Sequence, residues 1–186
     1  MRSRDDVLDA ALATLNADPT ASMADIATGL GIGRATLHRH VATREALLHE
    51  LGRRALDRWA QTQADCDMAG ATASGDAATL EACLRANLAD CLADAAVFGF
   101  TLTDPTMLDA PEMAARTRAM QDVEIGCFTA AQHAGVVRRD VPAAWLSHMV
   151  FGLLVAARQA ERDGDVARRD LPDLILSTFF QGAAPR

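Results

Sequence analysis

Tyrosine and lysine are absent, and aromatic residues make up 4% of the chain. Strands favour β-branched and aromatic runs, which are scarce here. An alanine-rich chain that is half apolar therefore reads as all-α rather than as a sheet protein or a disordered one. The missing lysine makes every formal cation an arginine, a bias expected of a GC-rich genome. No long apolar run exists: Met149–Ala157 lies between His148 and Arg158, far short of a bilayer span. With no signal peptide either, a cytoplasmic protein with no membrane partner is expected. The four cysteines, 66, 83, 91 and 127, form no CxxC pair and have no clustered histidine. That spacing argues against a zinc site or a disulfide framework, and Cys83 and Cys91 read as small core residues on one helix face. GxGxxG, GxxxxGK[ST], a Ser–His–Asp set and paired catalytic carboxylates are all lacking, so no enzyme, metal or cofactor is expected.

The charge balance first speaks against nucleic acid, at −7 overall. Its distribution reverses that reading. Residues 1–60 hold eight Arg and eight acids, whereas residues 61–186 hold ten Arg and seventeen acids. Between Arg34 and Arg58 six Arg face three acids, a local excess of +3. A positive face next to an acidic body would orient the approach to a polyanion.

The most informative stretch is 22–48, SMADIATGLGIGRATLHRHVATREALL. Ser22 with Asp25 three residues later is a capping box, so a helix should start at Met23. Ile26, Ala27 and Leu30 share one face, with Ala27 small enough for a close helix crossing. Gly31 supplies the positive φ of a sharp turn. Ile32 plugs that turn, and Gly33 precedes a second short helix, Arg34–His40. Leu37 and Val41 return its apolar side to Ile26 and Leu30. Arg34, Ala35, Thr36, His38 and Arg39 remain outward, a short polar cationic surface suited to a major groove. His38-x-His40 is not a metal pair, because i and i+2 do not share a helix face.

These residues resemble the DNA-binding domain of the TetR (tetracycline repressor) family of bacterial transcription regulators. Met23–Ala27 is similar to the start of the family's second helix. Gly31–Leu37 is similar to its turn and recognition helix. His40-Val41 with Thr43–Leu48 is similar to the start of its fourth helix. The likeness covers about the first 55 residues. It departs at Gly33, where the family has Ser or Thr, at His38 (Tyr) and at Val41 (Phe). The resemblance implies a double-stranded DNA operator as partner, with Arg34, Ala35, Thr36, His38, Arg39, His40, Thr43 and Arg44 as DNA-binding residues. Arg44 and Thr43 stand at a helix start, where backbone amides favour phosphate.

The remaining pattern predicts helices over 4–16, 44–67, 79–97, 111–134, 142–164 and 171–180, a short helix opening at Pro105, and a loop over 69–78. The whole is an N-terminal three-helix helix-turn-helix domain, 1–48, followed by a helical domain, 49–186, for effector binding and dimerisation, about nine helices in all. The resemblance implies a small, mainly apolar effector in the second domain. Phe98, Phe100, Met107, Met120, Cys127, Phe128, Trp145 and Met149 are the candidate lining. Asn87, Asp90, Glu124, His133 and His148 are the polar groups available to orient a ligand. Helices 142–164 and 171–180 are apolar around most of their girth and should bury two sides. Leu146, Val150, Leu153, Leu154, Leu174, Ile175 and Phe179 are the expected homodimer interface. The expected function is a ligand-responsive repressor on a palindromic operator. The alternative is a helical ligand sensor or protein-interaction module that no longer binds DNA.

Overall fold

A computed structural model describes residues 3–104 and 110–185; Met107 and the short helix expected at Pro105 lie outside them. Among the described residues there are nine α-helices and no strand: α1 (Arg4–Ala17), α2 (Met23–Gly29), α3 (Arg34–His40), α4 (Arg44–Asp65), α5 (Met68–Ser74), α6 (Ala77–Phe98), α7 (Pro111–His133), α8 (Ala143–Asp163) and α9 (Leu171–Gly182). A 3₁₀ turn over Gly99–Leu102 follows α6. The chain forms two compact units, one of residues 1–57 with 97–114 and the other of 58–96 with 115–186.

The first unit is built by local rules. Two capping boxes, Ser3 with Asp6 and Ser22 with Asp25, start α1 and α2. Gly31 takes φ +65° and turns the chain toward α3. Thr43 Oγ1 accepts from the Ala46 amide at 3.0 Å and caps α4. Val7, Leu8, Ala11, Leu12 and Leu15 of α1 meet Ile26, Ala27 and Leu30 of α2, Leu37 of α3 and Leu47, Leu48 and Leu51 of α4. Phe100 closes the same core from a distant part of the chain. Asn16 holds it there: its Oδ1 accepts from the Phe100 amide at 3.1 Å, and its amide nitrogen donates to the Val97 carbonyl.

The second unit corrects one expectation. Residues 69–78 are not a loop, because α5 occupies Met68–Ser74 and buries Met68 and Ala71. Its start is hidden from pattern reading. Asp67 adopts a left-handed conformation, φ 47°, and its carboxylate accepts from the Gly70 amide at 3.2 Å. Gly70 leaves room for that carboxylate: a Cβ there would stand 2.2 Å from Asp67 Oδ2. Gly75, at φ +63°, ends the helix. Elsewhere Asp94 of α6 ties down α4, accepting from Arg58 Nε and Thr62 Oγ1, each at 2.7 Å. Phe128 of α7 packs on Phe179 of α9 with ring centroids 5.8 Å apart. Arg138 anchors the chain after α7, its amide donating to the Ala183 carbonyl at 2.7 Å.

Asp67→Ala is expected to destabilise the protein by about 1–2 kcal/mol, since it removes the cap and leaves a Cβ in the left-handed region. Asp67→Asn, which keeps both properties, should unfold close to wild type. Urea denaturation of the pair is the check, and equal midpoints would show that the cap contributes nothing.

Candidate nucleic-acid interface and interior polar site

Helix α3 is seated by one residue. Leu37 is fully buried in the core of the first unit, while Arg34, Ala35, His38 and Arg39 are exposed and Thr36 and His40 are half-buried. Of the residues expected to read DNA, Ala35 and Arg39, two positions either side of Leu37, lie farthest around the helix from it. Arg39 donates to Thr36 Oγ1 at 3.3 Å, so these two form one unit on the surface of α3. His38 Nδ1 lies 2.9 Å from the Ala42 carbonyl and must carry the proton, closing the C-terminal end of α3. Gly33 is the N-cap of α3 and offers no side-chain hydrogen bond, with open space where a Cβ would stand. The Arg34 charge lies near Asp25, whose carboxyl is held below the usual range first by hydrogen bonds from Ser22 and last by Arg34.

The structure narrows the cationic surface. Arg54 pairs with Asp5 and Asp9 of α1, and Arg53 pairs with Glu50. Arg58 is held by Asp94. Arg44 is half-buried and donates to the Pro19 carbonyl at 2.7 Å and the Ala21 carbonyl at 3.2 Å. It fastens the segment between α1 and α2, a role that no local pattern announces. Among the described residues, Arg34 and Arg39 of the six have neither a close ion pair nor a backbone tie, and Arg34 acts on Asp25 only through its charge. The local excess of +3 thus reduces to two guanidinium groups on α3.

The second unit differs in kind. Every buried polar or charged side chain among the described residues belongs to it: Thr62, Gln63, Asn87, Glu124 and Ser147. Glu124 of α7 is 2% exposed. Ser147 Oγ of α8 donates to Glu124 Oε2, and Asn87 of α6 hydrogen-bonds the same carboxyl. Burial, the largest cause, pushes the Glu124 carboxyl up to about 7, against the opposing hydrogen bonds from Ser147 and Asn87. The group can thus take or release a proton near neutrality. Met120 and Phe128, one helical turn away on either side, are buried with it, as is Cys127.

The expected lining is not all in one place. Phe98 and Phe100 belong to the first unit and pack into its core instead of joining Met120, Cys127 and Phe128. Trp145 is 56% exposed, and Met149 is half-buried. Most of the residues expected at a homodimer interface face inward in this chain. Leu146, Val150, Leu154, Ile175 and Phe179 are buried inside this chain, and Leu153 is half-buried; of the seven only Leu174 is exposed. Apolar periodicity alone does not separate the inward stripe of each helix from its outward one. Trp145 and Phe151 of α8 and Leu174 of α9 are the large apolar groups left facing outward. No group of three or more His, Cys, Asp or Glu among the described residues is arranged to hold a metal ion, and no helix among them is long and apolar enough to cross a membrane.

Comparison with known proteins bears on the whole chain. The HTH-type transcriptional repressor LfrR of Mycolicibacterium smegmatis is 29% identical over 181 residues, covering 97% of this chain and 90% of that one. The crystal structure of the TetR-like transcriptional regulator LfrR in complex with proflavine superposes with a TM-score of 0.72 at 28% identity, covering 96% of this chain and 95% of the other. Along almost its whole length this chain is similar to TetR-like transcriptional regulators. A second relative, the HTH-type transcriptional regulator NfxB of Pseudomonas aeruginosa, is 28% identical over 186 residues, covering 98% and 95% of the two chains. No family model matches the sequence. These relatives are transcriptional regulators and not enzymes. The helix-turn-helix and helical second part of this chain were legible from residues 22–48 and from apolar periodicity.

The raised Glu124 carboxyl has a thermodynamic consequence. The folded state holds a proton that the unfolded chain, titrating near 4.5, has released, so stability is greatest below that value and is lost as pH rises through about 7. The loss should approach roughly 3 kcal/mol, at 1.36 kcal/mol per pKa unit. Urea midpoints taken from about pH 5 to about pH 8 should fall for the wild type and stay nearly flat for Glu124→Gln. A flat wild-type profile would show that the carboxyl is not sealed from water.

Proposed function

We propose that the regulator is a repressor that reads a palindromic operator as a homodimer in the cytoplasm and is released by a small effector bound in its second part. The observation that carries the reading is the surface of α3, where Arg34, Ala35, His38 and Arg39 are exposed while Leu37 is fully buried. Arg34 and Arg39 supply base or phosphate contacts, with Thr36 and Ala35 available to a thymine methyl. His38, His40 and Thr43 border the DNA backbone, and Arg44 acts mainly by holding the segment that supports α3. The division of labour is residues 1–48 for reading and 49–186 for sensing and pairing.

Pairing would use the outward face of α8 and α9, centred on Trp145, Phe151 and Leu174, whose exposed apolar area is a cost in water that a second copy removes. Two-fold pairing sets two recognition helices at half-sites about 34–36 Å apart. The effector would be mainly apolar, enclosed by Met120, Cys127 and Phe128 with Met149 and Trp145 beside them, and would carry a basic or hydrogen-bond-donating group for Glu124. LfrR is known in complex with proflavine, a planar aromatic amine, and that compound is the natural first probe. An effector shifts the regulator only by binding one state more tightly than the other.

Selection of bound DNA from a random pool should return a palindrome. Arg34→Ala should lower affinity for that site by about tenfold or more with unfolding unchanged, the loss of one good base contact of ~1–3 kcal/mol. Arg44→Ala should lower both affinity and stability, since its carbonyl partners lose their donor. A folded, dimeric protein that enriches no DNA at any salt would favour the sensor reading instead.

For the effector, proflavine fluorescence titrations should weaken several-fold on Glu124→Gln. Wild-type affinity should rise as pH passes about 7 and the carboxylate forms. Equal affinities for the two proteins would remove Glu124 from the site.

A further inference from the structure

Three of the four cysteines converge in the second unit, although 61 positions separate the first from the last. Cys66 sits in the turn after α4, Cys83 on α6 and Cys127 on α7. Cys83 Sγ donates to Cys66 Sγ at 3.5 Å, and Cys83 also hydrogen-bonds Cys127. Thr72 of α5 hydrogen-bonds Cys127 as well. A single S–H serves one acceptor at a time, so Cys83 is shared between two sulfurs. Core packing does not demand this arrangement. The chain fills its other small interior positions with alanine, as at Ala71, Ala95 and Ala131.

Exposure distinguishes the three. Cys127 and Cys83 are buried, and Cys66 is partly open to solvent. A small oxidant therefore meets Cys66 first and finds Cys83 directly behind it. Cys91 is buried on α6, with Sγ 3.9 Å from Asn87 Oδ1, and stands apart from the pair.

We propose that Cys66 and Cys83 are an oxidisable dithiol, which a hydroperoxide converts to a disulfide joining the α4–α5 turn to α6. In the first step the Cys66 sulfur attacks one peroxide oxygen. The O–O bond breaks, Cys66 becomes a sulfenic acid, and the alcohol, or water from hydrogen peroxide, leaves with a thiol proton. In the second step the Cys83 sulfur displaces the sulfenic oxygen as water, taking up the Cys83 proton, and the S–S bond forms. Two electrons pass from the two thiols to the peroxide. The regulator would thus accept a chemical signal at a place that does not use the Glu124 site, and this reading stands apart from the operator and effector proposals.

The test uses the intact protein and hydrogen peroxide. After brief exposure, removal of the oxidant with catalase and denaturation, free thiols should fall from four to two. The intact mass should drop by two hydrogens. Trypsin leaves Cys66 and Cys83 on one fragment, 59–85, so a second cut after Glu81 is needed to display the cross-link. Cys66→Ser, at the partly exposed position, should keep its three remaining thiols, while Cys91→Ser should still lose two. Four thiols retained by the wild type would overturn the proposal. So would a Cys83–Cys127 link, or a Cys66 sulfinic acid beside a free Cys83.

Discussion

A carboxyl group closed inside a helical bundle, with no cation beside it among the described residues, is the constraint that organises the second half of this regulator. Burying a carboxylate is costly, and the protein meets that cost by letting the group hold its proton up to about 7 and by hydrogen-bonding it from Ser147 and Asn87. Three helices, α6, α7 and α8, must keep register for those contacts to form together. An interior that needed only stability would place an apolar side chain at Glu124. An acid at this position is what the proposed effector-binding role would account for.

The first unit shows the opposite policy. All five buried polar side chains among the described residues lie outside it, and its core is aliphatic except for Phe100 and the partly buried Phe98. A dry aliphatic core of this kind is close-packed and stiff, which would suit the proposed role of α3 in reading DNA. Its arginines serve that rigidity. Arg44 and Arg54 bind the unit to itself, whereas Arg34 and Arg39 of α3 make no close ion pair among the described residues. Exposed pairs such as Arg53 with Glu50 add little energy, but they remove charge that a simple count assigns to DNA.

Residues 22–48 were readable because their signals are local. A capping box, a glycine turn and one apolar plug specify the helix-turn-helix within a few residues of each other, and the structure has each of them in place. Helix α5 was not readable. Its start depends on a left-handed aspartate and on a glycine that makes room for a carboxylate, and both residues ordinarily signal a loop. The partners of Arg44 and the meeting of three thiols were equally hidden, because they are tertiary facts with no periodicity. Periodicity did identify the apolar girth of α8 and α9, but it could not say which stripe faces inward. Trp145 and Leu174 therefore ended on the outside, and Leu146 and Phe179 within.

Phe100 has a consequence for how the chain is made. It fills the core of the N-terminal unit, and Asn16 grips it across 84 residues of sequence. Translation delivers α1 to α3 long before that ring exists. During synthesis the N-terminal helices would therefore lack one wall of their core until residue 100 leaves the ribosome and the long loop closes. A fragment ending after α4 would carry every outward residue of α3 and still lack the piece that completes its interior. The head is N-terminal in its surface but not in its folding.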